Sequence, residues 1–376
     1  MRIIILANIN SVLWNNLAVE LVKKTSDEIY VMDFFKGLLM PFDEKTAYCN
    51  FVYPANPLKK KIFIFSNCFK SLFKLLFLPK RDILMIHYVI PFYGCLSFLL
   101  KWKANVIISS VYGSDFYLVP KWKGFLQSWI FNVSQSITFS NTRMRDGFSE
   151  KFPHYKDKTV ICRFGLSLLR SINTQGINRS KACQKLEVPE DKIIVVCGHS
   201  SSKREQHVNI CKVVNGLNKE IQKKIFLLLP LTYNLSEDLS REISSFLEKT
   251  DLSYKMLSTR LSTEETACLR ICSDVMLNLP LSDQMTAAML ETLYCGGTVI
   301  TGSWLPYKTL DEYGISYIKV DDIKSILSPL EKIIHAKSIN TEVVDTSPNR
   351  EIIKKHFSWE SCINDWLIVL QAYQSQ

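Results

Sequence analysis

Apolar residues along this chain fall into two patterns, short continuous runs and helical stripes, and their alternation is written twice. In the first half, runs at 3–6, 29–32, 83–86, 106–108, 137–139 and 160–162 are rich in Ile, Val and Leu. Runs of this length, bounded by polar segments, read as buried parallel strands. The second half repeats the scheme at 193–197, 225–229, 275–279, 298–301 and 316–320. Strand and helix in alternation predict an α/β fold of two Rossmann-like, doubly wound domains, at 1–168 and 191–357. Residues 169–190 are polar and weakly periodic, so a linker with an entry helix is expected there. A last helical pattern at 358–376, with Trp366, Ile368, Val369 and Leu370, has no strand after it.

Composition agrees with two cores. The chain has 376 residues, of which 47% are hydrophobic, more than one core usually supports. Its longest apolar stretches are broken; residues 83–100, for example, contain His87, Pro91 and Gly94, so no spanning helix is expected. The start MRIIILANIN lacks a small-residue cleavage site after its apolar run and reads as a first strand, not a secretory signal. Eleven cysteines are scattered, and the closest pair, Cys268 and Cys272, has helical spacing without a second pair or paired histidines. Zinc is not expected, and the thiols should stay reduced in the cytoplasm.

Charge changes the picture more. Residues 1–180 hold 24 Lys and Arg against 11 Asp and Glu, net +13, whereas the remainder is net −3. Basic residues in the first half are interleaved with aromatics and leucines at 59–65, 69–81, 99–103 and 120–131. Within 69–81, Phe69, Leu72, Phe73, Leu76 and Phe77 share one helical face while Lys70 and Lys74 point elsewhere. Such a segment can dock on anionic phospholipid or simply be a core helix with a wet edge, and association with an anionic membrane surface is the favoured expectation. No nucleic-acid-binding signature accompanies the charge, so nucleic acid is not an expected partner.

Candidate chemistry concentrates at 279–307. Asp283 lies in a loop between a buried run and a helix, and Glu291 follows eight residues later, nearly on the same helical face. Gly296 and Gly297 end that helix and a second strand follows. A helix start offers unpaired N–H groups suited to phosphate, and flanking carboxylates suit sugar hydroxyls. Together they fit a nucleotide sugar. The second half opens with a strand, then Gly198, three serines, and Lys203 and Arg204. A cation with backbone donors there can stabilise a departing diphosphate.

The Asp283-x7-Glu291 segment resembles the donor-binding signature of GT-B glycosyltransferases, in particular the retaining group with an E-x7-E motif (glycosyltransferase family 4-like). The resemblance implies two Rossmann-like domains facing a cleft, with the final helix returning to the first domain. It further implies that Glu291 holds the ribose hydroxyls and that Asp283, with the amides of Gln284, Met285 and Thr286, holds the transferred sugar. The first acid is Asp where the family has Glu, and Met285-Thr286 stands where it has Phe-Gly. In the first domain, 112–115 resembles the group's H/Y-G-x-D turn, so Asp115 could meet sugar hydroxyls. His87 follows another strand; an inverting enzyme would need Asp115 or His87 as a base, and a retaining one would not. Arg163-Phe164-Gly165 looks like the family's interdomain turn. The loop 7–11 carries no dinucleotide fingerprint, which counts against a dehydrogenase.

The expected activity is sugar transfer from a UDP-, GDP- or dTDP-linked donor to a growing, lipid-linked glycan of bacterial surface polysaccharide, such as capsule or O-antigen. Retention is favoured, with Asp283, Asp115 and His87 as catalytic candidates, and no metal or other cofactor is expected. The enzyme is expected on the inner face of the cell membrane. Competing readings are a GT-B nucleotide-sugar epimerase and a non-catalytic polyanion or membrane adaptor.

Overall fold

In the computed structural model, residues 1–43, 51–117, 119–232, 236–283, 286–339, 341 and 343–374 are described. They form two compact units: Met1–Gly165 with Trp359–Gln376, and Leu166–Ser358.

Unit 1 is built on seven strands: β1 (Arg2–Leu6), β2 (Glu28–Asp33), β3 (Leu38–Pro41), β4 (Arg81–His87), β5 (Ala104–Val111), β6 (Ser136–Phe139) and β7 (Thr159–Ile161). Their order is β3-β2-β1-β4-β5-β6-β7. All neighbours pair in parallel except β2 and β3, which are antiparallel. The central runs are buried on both faces because helices cover both. On one face, Ile3, Ile5, Ile83 and Ile108 meet Trp14 and Leu17 of helix Val12–Lys24 together with Trp359, Ile363 and Trp366 of helix Trp359–Gln371. On the other, Ile4, Leu84 and Ile107 meet Leu75, Leu100, Ile130 and Phe131 from three further helices.

The returning helix is held by more than apolar contact. The Arg163 guanidinium reaches Asp365 with Nε to Oδ2 at 2.8 Å and Nη2 to Oδ1 at 3.0 Å, its backbone N–H adds a bond to Oδ2 at 3.1 Å, and Trp366 Nε1 donates to the Arg163 carbonyl at 2.8 Å. Gly165 allows the close approach: a Cβ there would lie 2.6 Å from the Trp359 ring and 2.7 Å from its Cα.

Unit 2 holds β8 (Ile193–Cys197), β9 (Ile225–Pro230), β10 (Tyr254–Leu257), β11 (Val275–Asn278), β12 (Thr298–Gly302) and β13 (Ile318–Val320). Their order is β10-β9-β8-β11-β12-β13, all parallel. Winding reverses between β8 and β11, which is where ligands sit in open α/β sheets. Residues 169–190, expected as a linker, are instead part of this unit. They contain helices Leu168–Thr174 and Arg179–Leu186, whose Leu169, Ile172, Ala182, Cys183 and Leu186 are buried in two of its cores. Enough apolar residues at helical spacing outweigh a polar composition.

Candidate functional site

At the switch point of unit 2, the loops after β8 and β11 run side by side. Gly198 opens the first with φ +64°, and a Cβ there would come within 2.7 Å of His207 Cε1. Both the backbone conformation and the space select glycine. Its N–H donates to the Leu277 carbonyl of β11 at 3.0 Å. The chain then turns through a short 3-10 helix, Lys203–Glu205, started by the Ser202 side chain accepting from the Arg204 N–H at 3.3 Å. Lys203 and Arg204 are exposed, while Glu205 is buried beneath them.

Glu205 anchors this loop. Ser200 Oγ donates to its Oε1 at 3.2 Å, and His199 Nδ1 lies 3.3 Å from its Oε2. Burial alone would raise its pKa; the closeness of His199, with help from His207 and Ser200, outweighs that and holds it below the usual range. His207, pushed down by burial, has its Nε2 2.7 Å from the Ser200 carbonyl.

Two bonds tie this loop to the one after β11. Leu281 N–H donates to the Arg204 carbonyl at 2.8 Å, and Gln206 Nε2 donates to the Leu279 carbonyl at 2.7 Å. The basic turn is therefore fixed beside 279–283. Half-buried Asp283 accepts a 2.6 Å bond from the Tyr307 hydroxyl. That hydroxyl in turn accepts from Asn278 Nδ2 at 3.0 Å. Burial and the neighbouring Asp283 charge raise the pKa of Tyr307, so it remains a donor. Trp304 Nε1 donates to the Pro280 carbonyl at 2.9 Å and braces the same loop.

Helix Ala287–Tyr294 begins directly after. Its N-cap, Thr286, is buried and makes no side-chain capping bond. Gln284 and Met285 lie outside the described residues. Glu291 is buried within the helix, and its Oε2 accepts from Arg270 Nε at 3.1 Å. Arg270 comes from helix Thr263–Cys272, and both side chains are about nine-tenths buried. Thus Gly198, Lys203, Arg204, Asp283 and Thr286 cluster at the ends of β8 and β11, while Glu291 is oriented by an arginine.

The unit 1 candidates have a different character. Asp115, expected to face sugar hydroxyls, is buried and turned toward main chain: Oδ2 accepts from Val89 N–H at 2.7 Å, and Oδ1 accepts from Tyr112 and Gly113 N–H at 2.8 and 2.9 Å. Burial pushes its pKa up to about 6 against the pull of those amides. It pins the turn to the neighbouring strand end. His87 closes β4; its Nδ1 is 2.8 Å from the Tyr112 hydroxyl, and its ring stacks on Trp366 with centroids 5.8 Å apart. Burial lowers its pKa to about 3, so the imidazole is neutral near pH 7. Its Nε2 is buried with no partner among the described residues.

No family model and no curated protein sequence matches this chain. Solved structures do. A sucrose-phosphate synthase from Thermosynechococcus elongatus aligns over all of both chains with a TM-score of 0.71 at 11% identity. HepE from Anabaena, solved in complex with UDP and glucose, aligns over 99% of this chain and 100% of its own, TM-score 0.70, 12% identity. A glycosyltransferase from Rickettsia africae ESF-5 covers 99% of this chain and 98% of its own, TM-score 0.70, 12% identity.

The chain has the GT-B fold. Several residues of its unit 2 site escaped the sequence reading. Tyr307 and Asn278 had a signal: Asn278 is the polar residue in a buried run, and Tyr307 falls in the segment already singled out. Arg270 and Glu205 had none, because their partners are set by helix packing and a loop turn. The candidate site on unit 2 thus includes buried polar supports that no short motif contains.

Proposed function

We propose that this protein transfers a sugar from a nucleotide-sugar donor to a hydroxyl of a growing glycan. One observation carries the reading: a basic turn, Lys203-Arg204, is hydrogen-bonded to the Asp283 loop at the switch point of a doubly wound sheet, beside the start of helix Ala287–Tyr294. The diphosphate lies against the amides near Thr286, with Lys203 or Arg204 neutralising charge as the glycosidic bond breaks. Asp283, held by Tyr307, takes sugar hydroxyls. Glu291, oriented by Arg270, takes the ribose. The basic pair supplies the counter-charge that a metal would otherwise give, so no metal is needed. HepE, whose structure contains UDP and glucose, supports a donor of that class.

The transfer retains anomeric configuration, by resemblance of Asp283-x7-Glu291 to the retaining E-x7-E group. Asp115 then holds its turn and His87 stays a neutral hydrogen-bonding group, neither acting as a base. The acceptor is a lipid-linked glycan of a bacterial surface polysaccharide, assembled at the cytoplasmic face of the membrane.

Calorimetry with UDP, GDP, dTDP and their glucose conjugates tests the donor site. Wild type should bind one nucleotide series, and Asp283→Asn or the double change Lys203→Ala/Arg204→Ala should weaken it at least about tenfold. Unchanged affinity in both variants sinks the reading. Conversion of a nucleotide sugar without acceptor, detected by product analysis, would make the enzyme an epimerase instead.

A further inference from the structure

Three helices cover one face of the unit 1 sheet: Pro57–Phe77, Ser97–Lys103 and Lys121–Val133. They adjoin one another. Leu75, Leu100, Ile130 and Phe131 enter the same core, and Lys103 Nζ donates to the carbonyls of Leu76 at 2.6 Å and Leu78 at 2.9 Å, joining the first helix to the second.

Outward, the same helices expose apolar side chains in stripes. On Pro57–Phe77 the sequence Leu58, Ile62, Phe65, Phe69, Phe73, Phe77 advances by three or four residues, and each is between 60% and 72% exposed. This is one face of a helix. Its rings pair along the surface, Phe65 with Phe69 at 4.9 Å and Phe73 with Phe77 at 4.5 Å. The short helix adds Phe98 and Trp102, and the third adds Trp122, Phe125 and Trp129, all exposed and again at helical spacing. Soluble monomers rarely leave so much contiguous apolar surface in water.

Charge identifies what covers it. These helices carry five, two and two lysines and not a single Asp or Glu. Lys59, Lys60, Lys61, Lys70, Lys101 and Lys123 are exposed beside the stripes. Protein interfaces are depleted in lysine, whereas a surface that lies in a bilayer combines inserted aromatics with long cationic chains reaching for lipid phosphate. No described helix is long and apolar enough to cross a membrane.

We propose that this face of unit 1 binds an anionic phospholipid bilayer, with helix Pro57–Phe77 lying in the interfacial plane, its Leu58–Phe77 stripe in the acyl boundary and its lysines on headgroup phosphates. The surface is distinct from the donor site, so its failure and that of the transfer reading are separable.

Vesicle sedimentation of the full chain tests it. Wild type should pellet with phosphatidylcholine–phosphatidylglycerol vesicles, much less with phosphatidylcholine alone, and less as salt rises. The triple change Phe65→Ser/Phe69→Ser/Phe73→Ser should lower partitioning by about ten- to a hundredfold. Those side chains are already in water, so circular dichroism and the nucleotide thermal shift should be unchanged. Lys59→Ala/Lys60→Ala/Lys61→Ala should selectively lose the preference for anionic lipid. Brominated lipid should quench tryptophan emission from Trp102, Trp122 and Trp129 in the wild type. Absence of binding, equal binding to both vesicles, or undiminished binding of the triple Phe variant overturns the proposal. So does a lipid-free dimer by light scattering that the same variant dissociates, which would assign the face to a second copy of this chain.

Discussion

Arg270 and Glu291 show how a short motif depends on a residue outside it. Both are nearly buried, so each is tolerable only because of the other. Arg270→Ala should therefore cost about 3–5 kcal/mol, measured by urea denaturation, because it strands a buried carboxylate. Glu291→Gln should cost less while still weakening nucleotide binding. Tyr307→Phe removes the donor to Asp283 and the acceptor of Asn278; about 1–3 kcal/mol of stability should go, and KM for the donor should rise with a smaller change in kcat. His87 gives a pH signature. Its folded pKa, about 3, lies below its ordinary 6.5, so between these values the unfolded state binds the extra proton. The contribution is fully present above pH 6.5 and is lost as pH falls toward 3. Asp115, raised to about 6, works oppositely, its effect falling as pH rises from 3.8 to 6. Denaturation at several pH values should show less acid sensitivity in His87→Phe than in wild type.

At the scale of elements, what could be read beforehand follows from burial. Central strands β1, β4, β5, β8, β11 and β12 are covered on both faces and therefore written as continuous apolar runs. β3 and β10 were missed for a physical reason: both are edge strands, only partly buried, and one ends in proline while the other contains a lysine. In the Pro57–Phe77 helix the stripe was visible but its surroundings were not; periodicity gives a face, and only packing shows that Leu75 is inside while Phe73 is outside. The candidate site divides the same way. Asp283, Gly198, Lys203 and Arg204 had local signals, whereas the turning of Asp115 toward main-chain amides depends on how two strand ends meet. Gly165→Ala belongs to this scale too. Its methyl would strike the Trp359 backbone, and about 1–3 kcal/mol of overpacking strain should appear as a lowered Tm in calorimetry.

For the whole molecule, unit 1 is discontinuous. Trp359, Ile363 and Trp366 are buried in the same core as Trp14 and the β1 isoleucines. Removing residues 359–376 should uncover that core, so the truncated chain should bind a hydrophobic dye and lose resistance to protease within unit 1. Unit 2, drawn from one continuous segment, should keep its protection. Equal protection of both units would mean that the returning helix is dispensable.

This discontinuity also sets an order of events during translation. A ribosome finishes every strand of the amino-terminal sheet early, but one of its faces has only helix Val12–Lys24 to cover it until helix Trp359–Gln371 has been made. The middle of the chain is therefore free to fold first, and the earlier-made segment must wait behind it. Chaperone engagement during synthesis should concentrate on that half-covered face of isoleucines and Trp14, and stalling translation just before Trp359 should trap it there.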